Sequence, residues 1–469
     1  MPLLFELPTD ILLEIVKVLE LPDPLSLVIT CSFLYRLSNE RSFWISVLET
    51  TRRRAPIACS GYADLSQYDL EALKGLVVSW MKLQSNWDQP SPQIIQPVVS
   101  ARLPEPAQFI FLVQGTDILV LTMGGNVLCW DARLAAPFSF PAIETGGRIT
   151  RVSGPSESPG TCSLAILAEK ATNPPTAHRY VITIQHHNGK ATSFTSQSWS
   201  MFIPHGRYFE SLVLTEDMVA TIVAMQNRED CIVTAGAING DTRAVDSTSI
   251  LKLHRPVSTQ DLTVTFAYRG HLYALLEDSV SVSIHHISRK TLQSGHCEQT
   301  RLYSCPIPRS HMNSAPFCYM IPSSPSYGIG AVFTRLVWDD DDGNSIFTSF
   351  TFMPNTLTHE PDDGVSSPLA FDSPCVTEHV RGELAHLGLV WLDHSGFNVI
   401  AAIRPANFTE RWALVLVRYH PETSSSSVHS LSLPETIDIT EIDSLCIDDA
   451  AGAVYLVDRA GIFSTLRYV

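Results

Sequence analysis

The densest run of potential ligand atoms in this 469-residue chain is Asp339-Asp340-Asp341-Asp342, followed by Gly343. Clustered carboxylates suit a hard cation, but a calcium loop needs a glycine at its sixth position and a closing glutamate at its twelfth. Gly343 falls at the wrong offset and no glutamate stands at the twelfth position, so the run reads as a solvated hairpin turn between 333–337 and 346–352. His296, Cys297, Cys305, His311 and Cys318 form a second group, with none of the regular spacing of a zinc site and no Cys-x-x-Cys pair. His186-His187 and His285-His286 read as strand-end residues. No Gly-Lys-Ser or Gly-Lys-Thr follows a strand, Gly328-Ile329-Gly330 lacks the third glycine of a dinucleotide fingerprint, and no Gly-x-Ser-x-Gly elbow occurs. The expectation is a chain with no catalytic residue, no metal and no cofactor.

Composition supports a globular protein: 45% of residues are hydrophobic and 17% charged. Formal charge is −16, from 32 basic and 48 acidic residues. An acidic surface of this kind disfavours nucleic acid and anionic membrane as partners. No basic segment and apolar core resembling a signal peptide opens the chain, and no run of about 18 apolar residues occurs. Ten cysteines are scattered, several in strand-like apolar runs, which reads as reduced thiols in a cytoplasmic or nuclear protein. The sequon Asn407-Phe408-Thr409 is then expected to stay unmodified.

The first fifty residues carry helical spacing. Ile11, Leu12, Ile15, Val16 and Leu19 recur every three or four positions, with Pro8 placed for a first turn and Asp10 near the positive helix end. Asp23 and Pro24 open a second helix bearing Leu25, Leu27 and Val28; Phe33, Leu34 and Leu37 mark a third. Phe43, Trp44, Val47 and Leu48 mark a fourth, at whose end Arg52-Arg53-Arg54 reads as cations complementing the dipole, with a nuclear-localisation signal as the alternative. Leu70, Leu73, Leu76, Val77, Trp80 and Leu83 predict a further helix over 68–87, joining this unit to the rest.

The order Leu7-Pro8, Ile11-Leu12, Ile15, Leu19, Asp23-Pro24-Leu25, Val28, Cys31, Leu37 and Trp44 resembles the F-box. The family usually has a basic residue and then an aromatic where this chain has Ser32-Phe33-Leu34. The resemblance implies docking on a Skp-type adaptor, and through it a cullin, by Leu7, Pro8, Ile11, Leu12, Ile15, Leu19, Pro24, Leu25, Val28, Cys31 and Trp44. So small a unit has little chain to bury its apolar groups against, and Leu12, Leu25 and Trp44 are expected to need the partner.

Beyond Pro90-Ser91-Pro92 the texture turns to short β-rich runs. Residues 118–123 and 127–131 flank Gly124-Gly125-Asn126 as a hairpin, with the first strand apolar on both faces. Comparable units begin near Ser163, Met218, Leu272, Gly328, Leu387 and Leu445, stepping by 45, 55, 54, 56, 59 and 58 residues. Residues 453–463 repeat the strand-turn-strand order of the first unit. Seven such units, with Trp130-Asp131 like a WD dipeptide, resemble a β-propeller. Six or eight blades, or two β-sandwiches, are the alternatives.

The fold class expected is therefore α+β multidomain: an F-box over 1–50, a helical linker over 51–100, and an all-β, seven-bladed propeller over 101–469. The polar segments 170–178, 354–374 and 421–427 are expected to be loops that carry recognition. The expected function is target recognition in an SCF-type (Skp–cullin–F-box) ubiquitin ligase, with no bond chemistry in this chain. Two alternatives are a propeller scaffold outside any ligase, and a propeller hydrolase with paired carboxylates across a pocket.

Overall fold

In the computed structural model the N-terminal apolar spacing becomes helices over Thr9–Val16 (α1), Pro22–Val28 (α2), Ser32–Leu37 (α3), Arg41–Thr51 (α4) and Leu70–Trp87 (α5). The structure describes residues 7–19, 22–52, 55–59, 64–172, 176–187, 189–202, 207–215, 218–225, 231–237, 247–251, 264–268, 270–277, 281–294, 299–306, 317–320, 331–339, 344–352, 354–356, 365–371, 375–382, 384–392, 397–405, 412–420, 423 and 425–469. Gly328 to Gly330, residues 340–343 that were expected to turn, and His296, Cys297 and His311 lie outside these residues, as do Arg53 and Arg54. Arg52 caps the end of α4 and pairs with Glu49 at 2.6 Å.

The helices bury their apolar faces on one another. Leu12, Val16, Val28, Leu34, Phe43, Trp44 and Leu48 form a core closed by Leu73 and Val77 of α5. Trp44 stands at 5.0 Å from Phe43 in a T-shaped pair, and its Nε1 donates to Ser38 O at 2.6 Å. The expectation that Leu12 and Trp44 await a partner is thus corrected. The sequence reading counted only the first fifty residues, whereas α5 supplies the missing wall.

Helix α5 starts sharply because Asp69 Oδ1 accepts from Ala72 N at 2.8 Å, a side-chain N-cap. Its 18 residues span about 27 Å. That length reaches two cores. Leu83 and Trp87 leave the helical unit and join Ile400, Leu414, Leu416, Leu445, Leu456 and Leu466 in the β-domain. Asn86 Nδ2 donates to Gln93 O and to Tyr468 O, both at 2.7 Å, while its Oδ1 accepts from Gln93 N at 2.9 Å. Arg418 donates to Asp88 and Gln84, with its guanidinium carbon 5.9 Å from the Trp87 ring centre. Gly452, at φ 61°, lies so close that an added Cβ would stand 2.3 Å from Leu83 Cδ1. The segment expected as a linker is a strut.

The remaining described strands form seven sheets of four or five strands and one two-stranded ribbon, Pro354–Thr356 with Leu369–Phe371. Five of the sheets have four strands and two have five. The first strands of the sheets, in chain order, are Phe109–Leu112, Arg148–Val152, Arg207–Leu214, Val264–Tyr268, Phe317–Met320, Leu384–Leu392 and Ile442–Asp448. From the second sheet onward each of these strands touches the next, and the last returns to the first. The first and second sheets share a core of Phe111, Val120, Ile149, Leu164 and Ile166. This ring of sheets is a β-propeller. Val99–Arg102 pairs antiparallel with Ile462–Arg467, Val99 opposite Thr465, so the last sheet is built from both ends of the domain. That strand straddles the expected boundary at residue 100.

The hairpin at 118–131 forms as expected. Ile118–Met123 is buried at every position, and Gly124 and Gly125 turn with φ 56° and 123°. Ala453–Asp458 and Ile462–Arg467 repeat it at the far end. The unit spacing slips late in the chain. Ile118, Met218 and Leu272 fall on second strands, but Leu387 and Leu445 fall on first strands. Both strand types are two-sided apolar runs, so hydrophobic spacing alone does not tell them apart. Among the described residues no helix is long and apolar enough to cross a membrane.

The shared helix predicts that truncating Leu83 to Ala costs about 2–5 kcal/mol, because a fully enclosed leucine leaves a cavity between two packed layers. Thermal melts followed by circular dichroism should show one lowered transition. A lowered helical transition beside an unshifted β transition would refute the coupling.

Candidate partner-binding surface and junction cleft

The eleven residues expected to contact an adaptor separate by burial. Leu12, Pro24, Val28 and Trp44 are buried among the helices and hold the unit together. Leu7, Ile15, Leu25 and Cys31 are half-buried against the same core, and Leu19 is half-buried. Pro8 is exposed and Ile11 is 44% exposed. The fold-holding four cannot also form an outer face, because one side chain does not fill a core and present its surface to a partner.

The structure adds exposed apolar residues outside the expected adaptor-contacting set. Val18, Ile29, Phe33 and Tyr35 face solvent, Ile29 being 78% exposed. Phe33 was visible in the sequence as the departure Ser32-Phe33-Leu34. Val18 lies in the turn just past the end of α1. Ile29 just past the end of α2 carried no such signal.

A second feature lies where the helical unit meets the propeller. A cleft of about 270 Å³ is lined by Ala58, from the segment after α4, and by turns of the first, second and seventh sheets. Its polar walls are Asp117, Asp131, Asp448, Arg133, Lys190 and Arg467. Each carboxylate has a local partner. Asp117 Oδ1 accepts from Arg467 at 2.7 Å. Asp131 Oδ1 accepts from Arg133 N at 2.9 Å and Leu134 N at 3.0 Å. Asp448 Oδ1 accepts from Ala450 N at 3.1 Å and Ala451 N at 2.8 Å, bending the chain into the following strand. Burial, reinforced by Asp449 and Asp117, nevertheless pushes Asp448 up to about 7. Asp449 is fully enclosed and accepts from Asn398 Nδ2 at 2.7 Å. These carboxylates cap turns and bind a guanidinium, which accounts for them without a hydrolytic acid–base pair.

His285 and His286 lie near the end of Ser281–Ile287 but are buried. His286 Nε2 is 2.9 Å from His271 Nδ1, and His285 Nε2 is 3.0 Å from Ser283 Oγ. Burial lowers both to about 4, helped by Arg301 at His285 and by His271 at His286. They are neutral core residues. Cys305 and Cys318 lie in the separate strands Gln299–Pro306 and Phe317–Met320. Among the described residues, no group of three or more His, Cys, Asp or Glu is placed to hold a metal ion.

No protein-family model matches the chain, and no curated protein matches it. Among solved structures, the chain is similar to the WD40 domain of SCAP from fission yeast, at 10% identity and a TM-score of 0.38, over 78% of this chain and 85% of that one. It is also similar to a chain of a mitotic checkpoint complex, at 8% identity and a TM-score of 0.38, over 79% and 94%. At such scores neither likeness bears on function.

The buried acids and histidines predict opposite pH trends. A carboxyl raised from 3.8 to about 7 holds its proton more tightly in the folded chain, so its contribution is present at acid pH and is lost as pH rises through 7. The two histidines, lowered from 6.5 to about 4, stabilise the fold above 6.5 and lose that effect as pH falls through 4. Asp448→Asn should therefore gain melting temperature relative to the parent as pH rises from about 4 to about 7, with no further change above pH 8. A difference between variant and parent that stays constant from pH 4 to pH 7 would show that Asp448 is not the titrating group.

Proposed function

We propose that this chain is the target-recognition subunit of a Skp–cullin–F-box ubiquitin ligase. Its N-terminal helices would dock a Skp-type adaptor, which brings the cullin, and its propeller would hold a target protein. A β-propeller is compatible with a protein–protein interaction scaffold. The finer assignment rests on one observation. The helical unit fills its own core and still leaves Ile11, Val18, Ile29, Phe33 and Tyr35 facing solvent. Large apolar side chains gathered on a unit of about fifty residues point to a docking face. The order of Leu7-Pro8, Asp23-Pro24, Cys31 and Trp44 adds the family resemblance.

Within this reading the unit over 1–50 docks, 51–100 joins and 101–469 recognises. Pro8 and Ile11 lie at the surface, with Leu7, Ile15, Leu19, Leu25 and Cys31 beside them, while Leu12, Pro24, Val28 and Trp44 preserve the shape of the face. Each of the seven sheets is taken as one blade, supported by the contacts that run from one first strand to the next. The chain performs no bond chemistry. It supplies proximity, by holding target lysines near a charged ubiquitin carrier. Its net charge of −16 fits protein partners in the cytoplasm or nucleus better than nucleic acid or anionic membrane.

A scaffold outside any ligase is the second reading, and the strut favours it. Leu83 and Trp87 bind the helices to the propeller, so the helical unit would then be a packing element of one body.

Co-purification with a Skp-type adaptor separates the two. Ile11→Asp combined with Phe33→Asp changes only exposed positions, so the melting temperature should hold. Adaptor binding should weaken by more than about 100-fold, since each buried charge opposes docking. Undiminished adaptor capture by the double variant would refute the docking face, and a monodisperse parent protein that captures no adaptor would favour the scaffold.

A further inference from the structure

Two imidazoles converge on one hydroxyl at the edge of the sixth sheet. Ser427 lies on the outer strand Ser425–Ser430, which pairs with Ala413–His420 so that Arg418 faces Ser427 and Leu416 faces His429. Residues 427 and 429 are two apart on this strand and share one side of it. His420 Nε2 is 3.0 Å from Ser427 Oγ, and His429 Nε2 is 2.8 Å from it. All three residues are half-buried, held in place yet open to solvent.

The far side of His429 determines its tautomer. His429 Nδ1 lies 2.8 Å from the backbone carbonyl of Gln89, just past α5. A carbonyl oxygen only accepts, so Nδ1 carries the proton and the Nε2 lone pair points toward Ser427. An imidazole whose outer N–H is held by a carbonyl presents its other nitrogen as metal-ligating histidines do. Ser427 has a single hydroxyl proton, which His429 Nε2 accepts, so His420 Nε2–H donates to Ser427 Oγ and must switch to its Nδ1–H tautomer to offer a second lone pair. The strongest nearby positive charge, on Arg418, is paired with Asp88.

We propose that His420 and His429 form a labile two-imidazole site for Zn²⁺, with the Ser427 hydroxyl and water completing a tetrahedral shell. Imidazole nitrogen suits this ion at Zn–N bonds of about 2.0–2.1 Å, and the ion would take the place near both nitrogens that the Ser427 hydroxyl now holds, the hydroxyl shifting to its side. Two protein nitrogens are fewer than a structural zinc site uses, so binding is exchangeable. Its consequence is local: the ion would fasten the outer edge of the sixth sheet, and through the Gln89 carbonyl the end of the strut.

Isothermal titration of the full chain with ZnCl₂ tests this, alongside His420→Gln, His429→Gln, Ser427→Ala and the control His187→Gln in the second sheet. One site with a Kd on the order of micromolar is expected in the parent. Either imidazole loss should weaken it at least about tenfold, the alanine variant by no more than about threefold, and the control not at all. Equal affinity in the parent and His429→Gln would overturn the proposal, as would a parent with no saturable site. If the glutamine variants fold poorly, Zn²⁺ protection of His420 and His429 from diethylpyrocarbonate in the unmodified chain, read by peptide mass, gives the answer. Absence of protection overturns it equally.

Discussion

The rest of the architecture depends on one helix being buried at both ends. Leu73 and Val77 of α5 complete the N-terminal core, and Leu83 and Trp87, two and three turns further on, complete the packing between the sixth and seventh sheets. Each fully buried apolar side chain contributes about 1.5–3 kcal/mol by removal from water. A single helix carrying such residues at both ends packs into both units. Asn86 and Arg418 then settle the angle, since their hydrogen bonds to Gln93, Tyr468, Asp88 and Gln84 bind the helix end to strands far away in the chain.

The same strut bears on how the protein would act. A recognition subunit has to hold its cargo at a defined place relative to whatever its docking unit binds. A flexible tether would give up much of the proximity gained, because effective concentration falls as the accessible volume grows. The junction cleft sits at the same seam, its aspartates absorbed by turns and by Arg467. It adds a polar margin to an apolar joint.

Much of the local structure was legible before any coordinates. Helical spacing from Ile11 to Leu48 and the paired glycines after Met123 depend on neighbours within a few residues, and both appear where the sequence places them. The helical core was half legible. Spacing marked Trp44 and Leu12 as part of an apolar face, yet it does not say what covers that face. Here α5 covers it, from outside the segment being read. His420, His429 and Gln89 left no signal at all. Their meeting requires a hairpin register and a helix end more than three hundred residues away.

The sequence by itself determined the element types: short amphipathic helices, then two-sided apolar strands in blade-sized units. Those are consequences of side-chain periodicity and local backbone preference. Tertiary structure alone decided which faces are interior, that the segment after the helices is a strut, and that Val99–Arg102 completes the last sheet beside Ile462–Arg467. The physical reason is common to all three. Burial and strand pairing are relations between distant residues, and the free energy that selects them exists only once the chain has closed on itself.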